Sequence, residues 1–258
     1  MGLRFTWRAL RAWLVVYRRI WRSSVYSSIL GPVLYLGAMG YGLGSLVDSH
    51  GTVGLGGVPY LAFVAPAILA VQGMQTAMSE ATFPVYGAAK WNRIYLVAQA
   101  SPLRPADIFR GHLLFMAIRL AMNSAVFLAI AAAFGSLRSP WAIAALPAAV
   151  ITGLAFAAPV AAWSITVRKD YYFNYAFRFG MTPLMLFSGT FFPLSRLPGW
   201  VQPLAYVTPL WHGVALCREL TLGRISPGSV VIHLGYLLVL AAVGVAVGER
   251  TYTRRLYV

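Results

Sequence analysis

Cysteine, lysine and acidic residues are all scarce in this chain of 258 residues. Cys217 is the only cysteine, which excludes an intrachain disulfide and a cysteine-based metal site. The only lysines are Lys90, followed by Trp91, and Lys169, followed by Asp170. A phosphate-binding P-loop needs a lysine followed by serine or threonine after a glycine-rich turn. The chain therefore has no P-loop with which to bind a nucleoside triphosphate.

Charged residues of either sign are also rare, at 10% of the chain, whereas hydrophobic residues make up 59% and the mean hydropathy is +0.70. Soluble domains carry about a quarter charged residues, so these values indicate an integral membrane protein. A bilayer core of about 30 Å needs roughly 20 apolar residues per helical crossing. Six stretches meet this requirement: residues 26–47, 58–79, 111–134, 141–165, 175–192 and 229–248. Runs such as YLLVLAAVGVAV do not alternate as membrane β-strands do, so the fold class is all-α.

The basic residues are distributed unevenly between the predicted loops. With both termini in the cytoplasm, most of the 21 basic residues lie in cytoplasmic segments. Those predicted outside are few: Arg138, Arg196, Arg218 and Arg224. This asymmetry follows the positive-inside rule. The net charge of +15 therefore reports topology rather than a nucleic-acid partner, and no cleavable signal peptide is expected before the first span.

Residues 1–24 have the pattern of an amphipathic helix. Apolar residues recur at alternating steps of four and three, which is one helical face: Leu3, Trp7, Leu10, Leu14, Tyr17 and Trp21. Arginines follow one position later, beside that face: Arg4, Arg8, Arg11, Arg18 and Arg22. The pattern predicts a separate interfacial helix on the inner membrane surface, with its arginines near anionic lipid head groups. Residues 25–258 then form the transmembrane domain.

The loop between the second and third spans contains another amphipathic segment. After breaks at proline and glycine, Trp91, Ile94 and Tyr95 recur at the spacing of one helical face. Lys90 and Arg93 lie off that face. The spacing predicts a short cytoplasmic helix over about residues 88–98.

The stretch SGTFFPLSRLPGWVQPLAYVTPLWHG, residues 188–213, is apolar but carries four prolines: Pro193, Pro198, Pro203 and Pro209. Prolines break a helix, so no straight span runs through this stretch. Non-helical backbone at membrane depth is tolerated only where it is buried in protein or lines a wet cavity. The sequence predicts an external re-entrant helical hairpin over about residues 193–228, with its second helix ending at Gly223. Its aromatic residues are expected at the membrane interface: Trp200, Tyr206 and Trp211.

Arg119 and Asn123 lie four residues apart, on one face near the middle of the third predicted span. An arginine at this depth is costly and requires a polar partner or a watery cavity. Two interpretations are open. Arg119 contacts substrate along a transport route, for example an anionic head group, or it forms a structural pair with Glu80, Glu219, Gln72 or Gln75. Glu80 is predicted to close the second span at the cytoplasmic edge, where it either transmits movement of the 88–98 helix or bonds to nearby arginines.

Taken together, these features resemble the transmembrane permeases of type-2 ABC transporters. The local resemblance is to nodulation-type lipo-oligosaccharide exporter permeases, in EATFPVYGAAKWNRIY, SPLRPADIFRGHLL and SGTFFPLSRLPGWVQPLAYVTPLWHG. It implies a bacterial inner-membrane half-transporter that pairs with a second permease copy, identical or different, and exports a lipid-linked saccharide, glycolipid or drug. It also implies that residues 88–98 couple to a separate nucleotide-binding ATPase subunit. ATP and magnesium would bind that subunit, and no cofactor is expected in this chain.

Two other functional classes are less well supported by the sequence. An intramembrane enzyme acting on a lipid needs catalytic side chains that converge at membrane depth. Four of the six acidic residues fall in predicted loops or at helix edges: Asp48, Asp107, Asp170 and Glu249. No two histidines have the short helical spacing of a zinc site, so no metal is expected. A channel would show a ring of charges or a carbonyl filter, and neither is visible in the sequence.

Overall fold

A computed structural model describes residues 2–51, 55–92, 94–99 and 101–256, and this part of the chain contains helices and no β-strand. The α-helices in chain order are α1 (Gly2–Gly37), α2 (Gly44–Ser49), α3 (Tyr60–Ala81), α4 (Phe83–Tyr86), α5 (Ile94–Gln99), α6 (Pro105–Ala133), α7 (Ala145–Ser164), α8 (Tyr171–Tyr175), α9 (Thr182–Phe187), α10 (Gln202–Tyr206), α11 (Pro209–Leu222) and α12 (Pro227–Leu256). Wider π-helical turns occupy Ala38–Leu43, Gly87–Trp91 and Ala176–Met181. Short 3₁₀ turns occupy Pro140–Ala144 and Leu194–Arg196.

Five helical stretches in the described residues are long and apolar enough to cross a membrane: Ser28–Ser49, Tyr60–Trp91, Pro105–Ala133, Pro140–Ser164 and Pro227–Leu256. Each overlaps one predicted span. The predicted fifth span, residues 175–192, is not among them. The helical run there extends only from Tyr171 to Phe187, and the chain turns at Gly189, whose φ is 72°. Helix length and composition therefore do not confirm the predicted count of six spans.

The N-terminal helix continues into the first span without a break. α1 is helical from Gly2 to Gly37, so no helix end marks the predicted boundary near residue 24, and the interfacial position of residues 1–24 stays a prediction. The linking residues SSVYSS contain no glycine or proline, the two residues that most readily end a helix. α1 runs beside α6 in the same direction: Thr6 bonds to Asp107, and Ser28 bonds to Asn123. The apolar face that predicted a membrane-surface helix is thus partly used for packing against α6.

α3 is the central helix of the bundle. Most of its residues are buried, and α6, α7 and α11 pack around it. Glycine permits the closest approach between helices. A Cβ atom added to Gly73 would lie 3.0 Å from the carbonyl oxygen of Ala149 on α7. A Cβ atom added to Gly213 on α11 would lie 2.4 Å from the Thr152 methyl carbon on α7. These contacts hold α3 and α11 against the same helix.

Residues 193–228 contain two helices joined by a turn, α10 and α11. The Thr208 hydroxyl accepts a hydrogen bond from the Trp211 amide at 3.3 Å and so caps the start of α11. α11 ends at Leu222, and Gly223 follows in the left-handed conformation with φ of 72°, which favours glycine. The predicted helix end at Gly223 is therefore confirmed. α11 packs against α3, α7 and α12, so the hairpin is part of the bundle rather than a surface loop.

Candidate functional site

The bundle has one strongly basic end, where α6 begins and α12 ends. The two helices are joined there by Arg110, whose Nε and Nη2 atoms donate to the two carboxylate oxygens of Glu249 at 2.6 and 2.8 Å. Further basic residues lie on the segments gathered at this end: Lys90, Arg104, Arg250, Arg254 and Arg255. At the opposite end, the Arg138 amide donates to the Thr221 carbonyl at 3.0 Å and links the end of α6 to α11. We refer to these as the basic end and the opposite end.

The predicted helix over residues 88–98 is divided into two pieces at the basic end. A π-helical turn ends at Trp91, and α5 begins at Ile94; Arg93, between them, lies outside the described residues. Trp91 is 57% exposed and Ile94 43%, whereas Tyr95 is only 1% exposed. The prediction that Tyr95 shares one docking face with Trp91 is therefore wrong. The helical spacing on which it depended is interrupted at Asn92.

Val97, at 71% exposure, replaces Tyr95 as the third exposed residue of this segment. We call Trp91, Ile94 and Val97 the basic-end apolar surface. Lys90 lies beside it, and its ammonium group is 5.9 Å from the centre of the Tyr86 ring. The surface thus consists of large apolar side chains with a basic residue at its edge.

Tyr95 instead belongs to a buried cluster beneath that surface. Its hydroxyl oxygen lies 3.0 Å from Nδ1 of His112 on α6. The Trp13 ring of α1 stacks on the His112 ring, with centroids 3.7 Å apart. The Tyr95 ring is 5.7 Å from that of Tyr252 on α12. α5 is therefore packed against α6 and α12 through Tyr95, and Trp13 of α1 joins the same cluster through His112.

A network of polar side chains joins α1, α3 and α6 within the spans. Arg119 donates through Nε to Glu80 Oε1 at 3.1 Å, and its guanidinium carbon lies 4.7 Å from the centre of the Tyr17 ring. The pair is largely buried, with the Arg119 and Glu80 side chains 13% and 19% exposed. Of the partners considered from sequence, the structure selects Glu80. Glu80 is the last residue but one of α3, which ends at Ala81, and the helical stretch then continues in shorter pieces to Trp91. That Glu80 lies at the cytoplasmic edge of the span stays a prediction.

Asn123 lies in the same network, one turn along α6 from Arg119. Its Nδ2 atom donates to the Thr76 hydroxyl at 3.1 Å, and its Oδ1 atom accepts a hydrogen bond from the Ser28 hydroxyl at 2.9 Å. These bonds satisfy both ends of the amide. The predicted pair of Arg119 and Asn123 thus shares a face, as the spacing indicated, but each residue has its own partners on neighbouring helices.

The hairpin prolines lie where helices start or the chain is extended. Pro193 precedes a 3₁₀ turn, and Pro203 and Pro209 lie in the first turns of α10 and α11, where the missing N–H is not needed. Pro198 and Trp200 border an apolar cavity of about 560 Å³ between the hairpin and α9. The other main lining residues are Phe179, Leu184, Phe187 and Leu204.

The hairpin aromatics differ in their exposure. Trp200 is 75% exposed and Tyr206 44%, while Trp211 packs edge-on against Tyr206 with ring centroids 4.7 Å apart. The two exposed rings have the amphipathic character of residues at a membrane interface. Their location at that interface stays a prediction.

His212 and His233 form a contact that no local spacing reveals, because they lie on α11 and α12. Their Nδ1 atoms are 2.8 Å apart. The Ser229 hydroxyl donates to Glu219 Oε1 at 2.5 Å, and Nε2 of His233 lies 4.0 Å from the same oxygen. The carboxylate thus separates serine from histidine, whereas a serine nucleophile must bond directly to its base. In the part of the chain that the structure describes, no group of three His, Cys, Asp or Glu residues could hold a metal ion.

Comparison with protein-family models identifies the class to which this bundle belongs. The model described as ABC-2 type transporter matches residues 5–222, which include the basic-end apolar surface, the polar network and most of the hairpin. The chain therefore belongs to the ABC-2 type transporter family, and the resemblance inferred from the sequence motifs is confirmed. It is a multi-pass membrane protein and a component of a transporter, not an enzyme.

Individual proteins extend the similarity to nearly the whole chain. The chain is 31% identical over 252 residues to Nodulation protein J of Sinorhizobium fredii (strain NBRC 101917 / NGR234), covering 95% of this chain and 94% of that protein. It is also 31% identical to Nodulation protein J of Rhizobium leguminosarum bv. viciae, with 95% of each chain covered. The corresponding protein of Rhizobium meliloti (strain 1021) is 29% identical, with coverage of 95% and 94%.

Proposed function

We propose that this chain is the transmembrane subunit of an ATP-driven exporter in the bacterial inner membrane. Its family carries this proposal, because ABC-2 permeases work with an ATP-binding subunit and this chain has no P-loop of its own. ATP and magnesium bind that separate subunit, and a second permease copy completes the transporter. The motifs that resemble lipo-oligosaccharide exporter permeases favour an amphiphilic substrate, a lipid-linked saccharide, glycolipid or drug, moved out of the cytoplasm or the inner leaflet.

The basic end faces the cytoplasm in this proposal, since arginine and lysine are retained on the inner side of membranes. Both chain termini then lie inside, which requires an even number of crossings. The segment from Tyr171 to Gly189 supplies the sixth. The Phe173 ring packs 5.1 Å from that of Phe83 near the basic end of α3. Gly189 accepts a hydrogen bond from Nη2 of Arg218 at 3.0 Å, and Nε of the same arginine donates to the Phe63 carbonyl at 3.2 Å near the opposite end of α3.

The hairpin is re-entrant in the same scheme. Its turn lies between the two ends of the bundle, since Gly213 contacts Thr152 within α7, while Gly223 lies beside Ser139 at the opposite end. Within the segment between Pro193 and Thr208, Leu194 and Ala205 are buried in the protein, whereas Trp200 and Leu204 are exposed. The route for substrate is proposed to pass beside the polar network of Glu80, Arg119 and Asn123.

The basic-end apolar surface is proposed to dock on the ATPase subunit. The large apolar side chains of Trp91, Ile94 and Val97 are all exposed. α5 is a short helix, and short helices are unstable in isolation, so its position depends on the contacts that Tyr95 makes with α6 and α12. The Tyr95 cluster beneath it then transmits movements of the ATPase to α1, α6 and α12.

The test is capture of the partner ATPase by the tagged permease, comparing Trp91→Ala with the matched control Trp141→Ala. Trp141 is 60% exposed at the opposite end of the bundle, so both changes remove an exposed indole. Large aromatic residues at the centre of an interface contribute about 2 kcal/mol or more, which is roughly thirtyfold in affinity. We expect that loss for Trp91→Ala and none for Trp141→Ala, while Lys90→Ala at the edge is mild. Undiminished capture and undiminished export by Trp91→Ala contradict the proposal.

A further inference from the structure

α3 carries a row of polar side chains on one face of an otherwise apolar helix. The spacing of i, i+3, i+4, i+7 and i+8 places them together: Gln72, Gln75, Thr76, Ser79 and Glu80. Towards the basic end this row is satisfied, since Glu80 bonds to Arg119 and Thr76 to Asn123. Towards the opposite end it is not: the Oε1 atom of Gln72 is buried and has no hydrogen-bond partner in the described part of the chain. An unsatisfied amide oxygen inside a membrane protein is costly.

Gln72 and Gln75 both line a cavity of about 250 Å³ between α1, α3, α6 and α9. Gln75 makes only a long contact in the described residues, from Nε2 to the Met185 sulfur at 3.8 Å. Tyr35 and Phe127 supply aromatic walls, and none of the described residues that line the cavity is charged. The two amides therefore present hydrogen-bond donors and acceptors that the protein itself leaves largely unused.

We propose that this cavity binds the neutral, hydroxyl-bearing head group of an amphiphile, such as one sugar ring of a glycolipid. A hydroxyl both donates and accepts, and an amide side chain offers both complementary groups. The cavity is smaller than the roughly 300 Å³ or more of sites for drug-sized ligands, so it accommodates one ring rather than a whole amphiphile. The proposal deepens the proposed export function, and rests on it for the biological role of the binding.

An anionic head group is disfavoured at this site. Glu80 is the charged residue of the polar row, and it pairs with Arg119 of α6 at 3.1 Å, whose guanidinium also lies against the Tyr17 ring. They compensate each other and leave the region without net charge. An anion placed in the cavity would be buried without a counter-charge, which is strongly unfavourable.

The test measures binding of two radiolabelled probes with the same alkyl chain, dodecyl glucoside and dodecyl phosphate, to the full chain in phosphatidylcholine nanodiscs. Empty discs correct for partition into lipid. We expect wild type to bind the glucoside at least about tenfold more tightly than the phosphate. The double variant Gln72→Leu/Gln75→Leu, which keeps the side-chain size but removes both amides, should weaken glucoside binding by about tenfold. Asn174→Leu, an exposed amide change on α8 outside the row, is the control for this pair and should bind as wild type.

Substitutions at two glycines of α1 form a matched pair, in which one fills the cavity and the other leaves it open. A Cβ atom at Gly31 or at Gly37 meets nothing within 4 Å, so neither substitution clashes with the backbone. Gly31 lines the cavity and Gly37 does not. Gly31→Leu should abolish glucoside binding, and Gly37→Leu should retain it.

Several results overturn the proposal. These are no excess binding over empty discs, equal affinity for the two probes, preference for the phosphate, or wild-type glucoside binding by Gly31→Leu and by the double glutamine variant. The measurement uses no ATPase subunit, so it is independent of the capture test. If Trp91→Ala leaves ATPase capture and export undiminished while the wild type still selects the glucoside, the proposed ATPase coupling is contradicted. If capture falls as expected but the glucoside is not selected, only this binding site is contradicted.

Discussion

Exchanging the charges of Glu80 and Arg119 for amides, singly and together, tests whether this pair holds the bundle or serves the substrate. Glu80→Gln leaves the guanidinium of Arg119 unpaired, and Arg119→Gln leaves the carboxylate unpaired. Each change keeps a hydrogen-bonding side chain of similar shape. The double variant removes both charges and restores the balance between α3 and α6.

The expected magnitude follows from the geometry. Two unit charges about 4 Å apart attract by about 4 kcal/mol at an effective dielectric constant of 20, but the loss of hydration offsets much of this gain. Breaking a fully buried pair costs about 3–5 kcal/mol. Because these side chains keep 13% and 19% exposure, we expect a smaller cost of about 2 kcal/mol for each single change. For a protein of this size that lowers Tm by about 4–8 °C, while the double variant should lose less than about 1 kcal/mol.

The assay combines thermal unfolding of purified protein with export measured per amount of folded permease. If the losses of stability in the two single variants add up to the loss in the double variant, within about 0.5 kcal/mol, the two residues are not energetically coupled and the reasoning is refuted. Export that returns in the double variant assigns the pair a structural role. Export that stays low in the double variant, at normal stability, assigns the charges to the transport route.

Three further changes test the packing and the topology. Gly111→Ala should lower the free energy of unfolding by about 1–3 kcal/mol, because the new Cβ atom would lie 2.9 Å from the Leu10 amide nitrogen and 3.0 Å from the Thr6 carbonyl oxygen of α1. Gly235→Ala is the control and should be neutral, because its Cβ atom meets nothing within 4 Å. Tyr95→Phe should lower the free energy of unfolding by about 1–3 kcal/mol, since His112 loses the hydroxyl bonded to its Nδ1 atom. Capture of the ATPase should not change, because Tyr95 is not exposed. Reduced capture at normal stability would place Tyr95 in the docking surface. Arg196→Cys in a Cys217→Ser background should react with an impermeant thiol reagent from the outside, and labelling from the cytoplasmic side alone contradicts the topology.

Several features could be predicted because they depend on neighbouring residues. The end of α11 at Gly223 follows from the ease with which glycine adopts the left-handed conformation. The helical face shared by Arg119 and Asn123 follows from the spacing of one turn. The family resemblance was carried by short motifs such as SPLRPADIFRGHLL, which lie within the residues matched by the family model.

The prediction that was wrong depended on an uninterrupted helical period. The face of Trp91, Ile94 and Tyr95 required a single helix, but the chain changes course at Asn92 and Tyr95 turns inward. The contacts of α1 with α6 on both sides of residue 24 could not be predicted either, because they join segments about 100 residues apart. A single sequence shows the spacing of apolar residues but not which neighbouring helix will cover them.

The sequence by itself determined that this is a helical membrane protein without a P-loop, because hydropathy, helical period and the residues required for phosphate binding are all local properties. Only the tertiary structure decided which polar groups are partners. Arg119 pairs with Glu80 rather than with other candidates, and His212 meets His233 across two helices. The Oε1 atom of Gln72 has no hydrogen-bond partner among the described residues and lies beside a cavity. These outcomes depend on which helices pack side by side, and contacts between distant segments are set by the packing of the whole bundle rather than by any one stretch of chain.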